Sequence, residues 1–324
     1  MDERLLFLLP LISFLITLVL MPFIIRKLKT AGFTGIDVYK LEKPKIAEMG
    51  GIGIFAGVIV SLCIVSVFNS IFEIAMLVPL FVIFAFFGFG LFDDMFSISG
   101  KRFSFLRKIL MVVLPYPLAL PVILLSPSSV NVPLDGSFEL GVLLIVVAPL
   151  YVVVCGNLVN IFSNFNGQSA GNVIICFIFI LVKLLLLEHF ESLPLLLLLM
   201  GAVLGFLVFN WYPAKVFPGN CGDYMMGAMV GVFIVINGLY AFGIILLAPM
   251  ILHFLLAMYW VNFKRSKYEH KKFGDVRKDG TISAPHPYYL SWFFPYYFKL
   301  REEQITLITM ILSAVCGIIA VMLA

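Results

Sequence analysis

Apolar runs of about twenty residues recur along almost the whole of this 324-residue chain, separated by short polar gaps. A helix that crosses the hydrocarbon core of a bilayer needs roughly 20 apolar residues. The pattern predicts ten such helices, at about 5–25, 50–69, 73–92, 106–125, 140–156, 171–188, 194–210, 223–239, 241–262 and 304–323. Pro115, Pro117 and Pro121 each remove a backbone donor, so the fourth is expected to be kinked or loosened. Backbone groups in lipid must be satisfied internally, which predicts one all-α integral membrane domain over residues 1–324. The stretch 263–303 is too long for a simple connector. Asp279-Gly280, between Val276 and Ile282, predicts a hairpin turn, and eight aromatics between Pro287 and Phe298 predict a segment lying at the membrane interface.

The basic residues sharpen this picture. Twenty of the 22 lysines and arginines fall in alternate gaps: six from Arg26 to Lys45, four from Lys101 to Lys108, Lys215, and nine from Lys264 to Arg301. A fifth gap on the same side, Asn157 to Ala170, holds asparagines instead. By the positive-inside rule these gaps face the cytoplasm, so the N-terminus and, after ten spans, the C-terminus are expected outside. The first run has no clear basic lead and no small-residue cleavage site, which predicts a retained helix rather than a signal peptide. The composition agrees: 62% hydrophobic and 12% charged, against about 25% charged in soluble domains. The five cysteines show no paired short spacing, so neither a disulfide frame nor a zinc site is indicated. Ordinary topology accounts for most of the net charge of +4.

Polar clusters gather on the inner side. Asp93-Asp94 ends the third predicted helix. Two adjacent carboxylates repel one another and oppose the helix dipole, so a compensating positive charge is expected: a metal ion, or Lys101, Arg102, Arg107 or Lys108. Asn157 and Asn160 are three apart and share a helix face. Asn164, Asn166 and Gly167 follow, and Asn-Gly marks a turn whose backbone amides can approach a nucleotide. A loop with Lys215, Phe217, Pro218-Gly219, Asn220 and Asp223 comes next, then His270-Lys271-Lys272. Glu48-Met49-Gly50-Gly51 lies on the same side. Carboxylates for a divalent cation, bases for phosphates and a loop for a nucleoside make a site for phosphoryl transfer.

These motifs, in this order and over nearly the whole chain, resemble the polyprenyl-phosphate N-acetylhexosamine-1-phosphate transferase family (glycosyltransferase family 4). The branch they resemble most is the archaeal and eukaryotic one that starts N-linked glycans on dolichyl phosphate. The resemblance is carried by Pro44 to Gly51, by Asp93-Asp94 with Lys108, by Cys155 through Gly171, and most specifically by Asn210 to Gly219; His270-Lys271 fits more loosely. It implies ten helices, an active site on the cytoplasmic face of a cell membrane, and magnesium, with manganese as the alternative. The implied reaction moves a sugar 1-phosphate, GlcNAc-1-phosphate in this branch, from a UDP-sugar to a polyprenyl or dolichyl phosphate, with release of UMP. Membrane lipids and a homodimer are the other partners weighed; nucleic acid is not expected. By position, Asp93, Asp94 and Lys108 would form the catalytic group. Glu48, Asn157, Asn164, Asn166, Phe217, His270 and Lys271 would bind substrate, and Asn160 and Asn220, with Asp223 beside them, would hold the metal.

One departure bears on the chemistry. The family places a magnesium-binding Asp where this chain has Asn220, and an amide carbonyl supplies no charge to a cation that prefers hard, charged oxygens. Asp223, three residues on, is expected to take over as ligand. Asn164, Gln168 and Ser169 also differ from the branch. The rival readings are a relative that keeps the fold as a binding or regulatory protein, and a transporter. Scarcity of charge within the spans, Lys183 apart, counts against the latter.

Overall fold

The computed structural model describes residues 3–68, 74–98, 113–132, 136–264 and 273–324. Its long helices are α1 (Glu3–Thr30), α2 (Gly51–Phe68), α3 (Ile74–Ile98), α5 (Leu144–Phe162), α6 (Gln168–Leu186), α7 (Leu193–Asn210), α8 (Gly219–Ile236) and α12 (Glu302–Leu323). Shorter ones are α4 (Pro115–Ala119), α9 (Tyr240–Leu246), α10 (Ala248–Tyr259) and α11 (Leu290–Tyr297). Three antiparallel hairpins join them: β1 (Thr34–Ile36) with β2 (Lys45–Ala47), β3 (Ser129–Val132) with β4 (Gly136–Glu139), and β5 (Asp275–Val276) with β6 (Ile282–Ser283).

Among the described residues, seven helices are long and apolar enough to cross a membrane, or eight if a bent pair is one span. Gly51–Val67 and Pro115–Leu125 are shorter apolar helices. The chain is therefore a multi-pass, all-α membrane protein. The prolines of the fourth segment act as expected: α4 gives way to a 3₁₀ turn at Leu120–Leu125, while 99–112 lie outside the described residues. Two expectations need correction. The helix read at 241–262 is two, Tyr240–Leu246 and Ala248–Phe263, bent by 66°. Pro249 sits in the first turn of the second, where its missing N–H costs nothing. The third helix also runs past Asp93-Asp94, to Ile98.

The centre of the bundle is α8, 83% of whose span is buried, against 22% for the first span. It packs against α3 and α5, and small residues allow the approach. A Cβ on Gly227 would stand 2.6 Å from the Cα of Gly156 in α5. On the far side α1 packs on α7, pinned by Ser13 Oγ donating to the Leu198 carbonyl at 2.6 Å. The predicted hairpin forms around Gly280 (φ +80°), with Val276 opposite Ile282. Asp279 Oδ1 accepts from the Thr281 amide (3.0 Å) and hydroxyl (2.7 Å), which hold its carboxyl below the usual range.

Candidate active site

The site forms around the first turn of α8. Four backbone N–H groups at a helix N-terminus have no partner within the helix, and α3 supplies an acceptor from outside. Asp94 Oδ1 accepts from the Asn220 amide and Oδ2 from the Cys221 amide, both at 2.9 Å. The compensation that the adjacent acids call for thus comes, for Asp94, from the positive end of another helix. Asp93 is buried beside it, and its Oδ2 accepts from Asn220 Nδ2 at 2.7 Å. Asn160 Nδ2 in turn donates to Asn220 Oδ1 at 2.8 Å. One hydrogen-bonded chain therefore runs from α5 through α8 to α3.

Asp223 lies one turn further along α8 and is buried. It is hydrogen-bonded to the Ser163 and Ser169 side chains, and those hydroxyls are 3.2 Å apart. Its Oδ1 has no hydrogen-bond partner among the described residues. Asp93 and Asp94 thus meet the first turn of α8, and Asp223 stands on its next turn.

The loop before α8 is zipped to the one before α2. Phe217 N donates to the Ala47 carbonyl (2.8 Å), Gly50 N to the Phe217 carbonyl (2.8 Å) and Gly51 N to the Pro218 carbonyl (2.9 Å). A Cβ on Gly35 would meet both Glu48 Oε2 and the Phe217 ring at 3.2 Å, so β1 places these two side chains together. Met49 holds a left-handed φ of +68°, a strained value for a residue with a Cβ. Gly219, at φ +71°, faces it closely. Two motifs about 170 residues apart thereby form one wall.

The asparagine loop is held from two sides. Asn157 Nδ2 donates within its own helix, to the Val153 carbonyl at 2.9 Å. Asn164 belongs to a closed ring with Gln168, Ser291 and His253. Asn164 N donates to Gln168 Oε1 (3.2 Å) and Gln168 Nε2 to Ser291 Oγ (3.0 Å). Ser291 Oγ meets His253 Nδ1 (3.2 Å), and His253 Nε2 meets Asn164 Nδ2 (3.4 Å). Asn166 is buried and bonded to Glu302, Asp37 and Thr306. Tyr39 packs against Phe165 at a tilt of 44°, with ring centroids 4.8 Å apart, and burial pushes its phenol up to about 12.

Of the residues singled out in the sequence, Asp93, Asp94, Asn160 and Asn220 are joined directly, with Asp223 on the next turn. Glu48 and Phe217 are neighbours, and Asn164 and Asn166 flank Phe165. Lys108, His270 and Lys271 lie outside the described residues. Asp37, Lys40, His253, Ser291 and Glu302 were not singled out. The only signal for them was polarity next to an apolar run, which any loop edge shares.

The comparisons with known proteins bear on the same segments. The glycosyl transferase family 4 profile matches residues 76–238. Over 97% of this chain and 95% of its own length, a Saccharolobus solfataricus protein is 30% identical; its provisional name is UDP-N-acetylglucosamine–dolichyl-phosphate N-acetylglucosaminephosphotransferase. A Sulfolobus acidocaldarius protein of the same provisional name is 28% identical over 96% of the chain and 93% of its own length. A phospho-N-acetylmuramoyl-pentapeptide-transferase of Halalkalibacterium halodurans is 32% identical over 71% of the chain and 74% of its own length. The profile covers half the chain, from the membrane part of α3 to the end of α8, and the archaeal match covers nearly all of it. The chain belongs to glycosyl transferase family 4, a family of transferases.

Proposed function

We propose that this protein transfers a sugar 1-phosphate, GlcNAc-1-phosphate first among candidates, from a UDP-sugar to a polyprenyl or dolichyl phosphate, releasing UMP on the cytoplasmic face. The observation that carries this reading is the gathering of Asp93, Asp94 and Asp223 with Asn160 and Asn220 at the first turns of α8. Beside it stands the wall of Glu48 and Phe217.

The residues fit a magnesium ion. Magnesium keeps several waters and takes one or two carboxylates together with substrate phosphates. Among the described residues no three His, Cys, Asp or Glu side chains are grouped to hold a metal alone, so substrate oxygens would have to complete the shell. The donors would be Asp93, Asn160, Asn220 and Asp223, whose buried Oδ1 lacks a donor. When bound, the ion supplies positive charge between the donor pyrophosphate and the acceptor phosphate.

The chain's own groups do the rest. A phosphate monoester has a second pKa near ~6, so the acceptor is mostly a dianion at neutral pH and needs no strong base to attack the donor β-phosphorus. Asp94 is committed to the α8 amides and positions that helix; Asp93 orients Asn220. Phe217 offers a face for uracil, and Asn164 and Asn166 line the nucleoside side. Lys108, His270 and Lys271 take the anion-binding roles that the motif order gives them.

The test is UMP release by purified protein in detergent with dolichyl phosphate, a panel of UDP-sugars, and magnesium or manganese. Metal-dependent UMP release supports the reading, and its loss in Asp223→Ala supports Asp223 as ligand. The second reading, a relative without catalysis, is favoured by the amide at Asn220. No turnover with any donor, together with turnover in Asn220→Asp, would establish it.

A further inference from the structure

Away from the carboxylates at the start of α8, a second charged cluster surrounds Asn166. Lys40 Nζ pairs with Asp37 Oδ2 at 3.2 Å and with Glu302 Oε2. All three side chains are nearly out of water, at 15%, 3% and 2% exposure. The same two carboxylates grip Asn166. Glu302 Oε1 accepts from its backbone N–H at 2.7 Å, and Asp37 Oδ2 from its side-chain Nδ2 at 3.1 Å. From α12, Thr306 Oγ1 donates to its carbonyl at 3.0 Å.

The other face of Lys40 meets a different segment: its ammonium lies 4.1 Å from the centroid of the Tyr212 ring. Tyr212 opens the loop that carries Phe217, and its neighbour Trp211 lies against Gly167, whose Cβ position would be 2.8 Å from the indole. An ammonium between two carboxylates has one low-energy place, and a cation over an aromatic face adds a directional contact. The Asn166-Gly167 loop and the Trp211–Phe217 loop are thus referenced to one atom.

We infer that Lys40 is a positioning residue: clamped by Asp37 and Glu302 and seated on Tyr212, it sets the gap between the two loops that hold a uridine nucleotide. This rests on the reading above for the identity of the nucleotide. The contacts of Lys40 are with Asp37, Glu302 and Tyr212, not with Asp93, Asp94 or Asp223, so it acts on nucleotide affinity rather than on the chemical step.

Binding of UMP by isothermal titration calorimetry, on the full chain in detergent, tests this without turnover. Lys40→Met is expected to weaken UMP binding at least tenfold, and Lys40→Arg to recover to within about threefold of wild type. Tyr212→Leu, which leaves the ion cluster intact, is expected to weaken it about three- to tenfold, with Tyr212→Phe unchanged because the ring remains. In steady state the effect of Tyr212→Leu should fall on KM for the donor, not on kcat. Wild-type affinity in both Lys40→Met and Tyr212→Leu overturns the inference. So does equal weakening in Lys40→Arg and Tyr212→Phe, which would mark a merely structural cluster. Failure of the wild-type protein to bind UMP would instead overturn the uridine reading of the site.

Discussion

Replacing Asn220 by Asp asks directly what the centre of the site is built to hold. The Asn220 Nδ2 to Asp93 Oδ2 contact is 2.7 Å, so the substitution turns a donor into a second carboxylate against Asp93. Relaxed to about 4 Å, two unit charges at an effective dielectric near 20 repel by about 4 kcal/mol, equivalent to about three units of proton affinity. The pair can escape by binding a proton or a cation. In chelator at pH 7, Asn220→Asp is expected to unfold below wild type by roughly 8 °C, at about 2 °C per kcal/mol for a chain of this size. Millimolar magnesium is expected to restore most of that loss while moving the wild type less, since a ligand that binds only the folded state adds stability in proportion to ln(1 + [L]/Kd). The assay is thermal unfolding in detergent with chelator or magnesium. Equal midpoints in chelator, or a magnesium response no larger than that of wild type, would refute the claim that Asn220 sits at the carboxylate centre.

Asp94→Asn leaves one carbonyl oxygen for the two α8 amides, so one bond becomes neutral and the other is lost with an NH2 set against an N–H; with charge-assisted bonds worth about 1.5–3 kcal/mol each against about 1 for neutral ones, a loss of about 3–4 kcal/mol should appear as a lower unfolding midpoint without nucleotide. Gln168→Leu strips partners from the Asn164 amide and the Ser291 hydroxyl and should cost about 2 kcal/mol, read the same way. His286 is buried, stacked on Trp260 with centroids 4.4 Å apart, and burial lowers its pKa to about 4. Its folded value lies below the ordinary ~6.5, so the unfolded chain takes the proton first. The contribution is intact above pH ~6.5 and declines as pH falls toward ~4; thermal midpoints of His286→Phe should fall less steeply than wild type over that window.

Much of this was legible along the chain because the bilayer constrains sequence strongly. Span length, the Asp279-Gly280 turn and the loosening effect of Pro115, Pro117 and Pro121 follow from local rules. The meeting of Asp93 with Asn160 and Asn220 was expected from motif order rather than derived from spacing. What stayed hidden was long-range. Asp94 reads as a poor helix end until α8, 126 residues later, presents its amides. Lys40 read as one more inside-facing charge because Glu302, its partner, is 262 residues away. The break at Leu247 had a visible signal in Pro249, but an apolar run of normal length masked it.

The bond directions in the ring of Asn164, Gln168, Ser291 and His253 can be assigned, and they run from Asn164 both ways to Ser291 Oγ. Asn164 Nδ2 also donates to the Ile161 carbonyl at 3.1 Å, which fixes that amide as a donor toward His253 Nε2. Nε2 must then offer its lone pair, and the single imidazole proton sits on Nδ1, pointing at Ser291 Oγ. An imidazolium has no lone pair to give, so charging the ring would open the circuit that joins the asparagine loop to α11. At neutral pH a side chain that keeps both bonds at position 253 must carry its acceptor and its donor on separate atoms, as neutral histidine, asparagine and glutamine do.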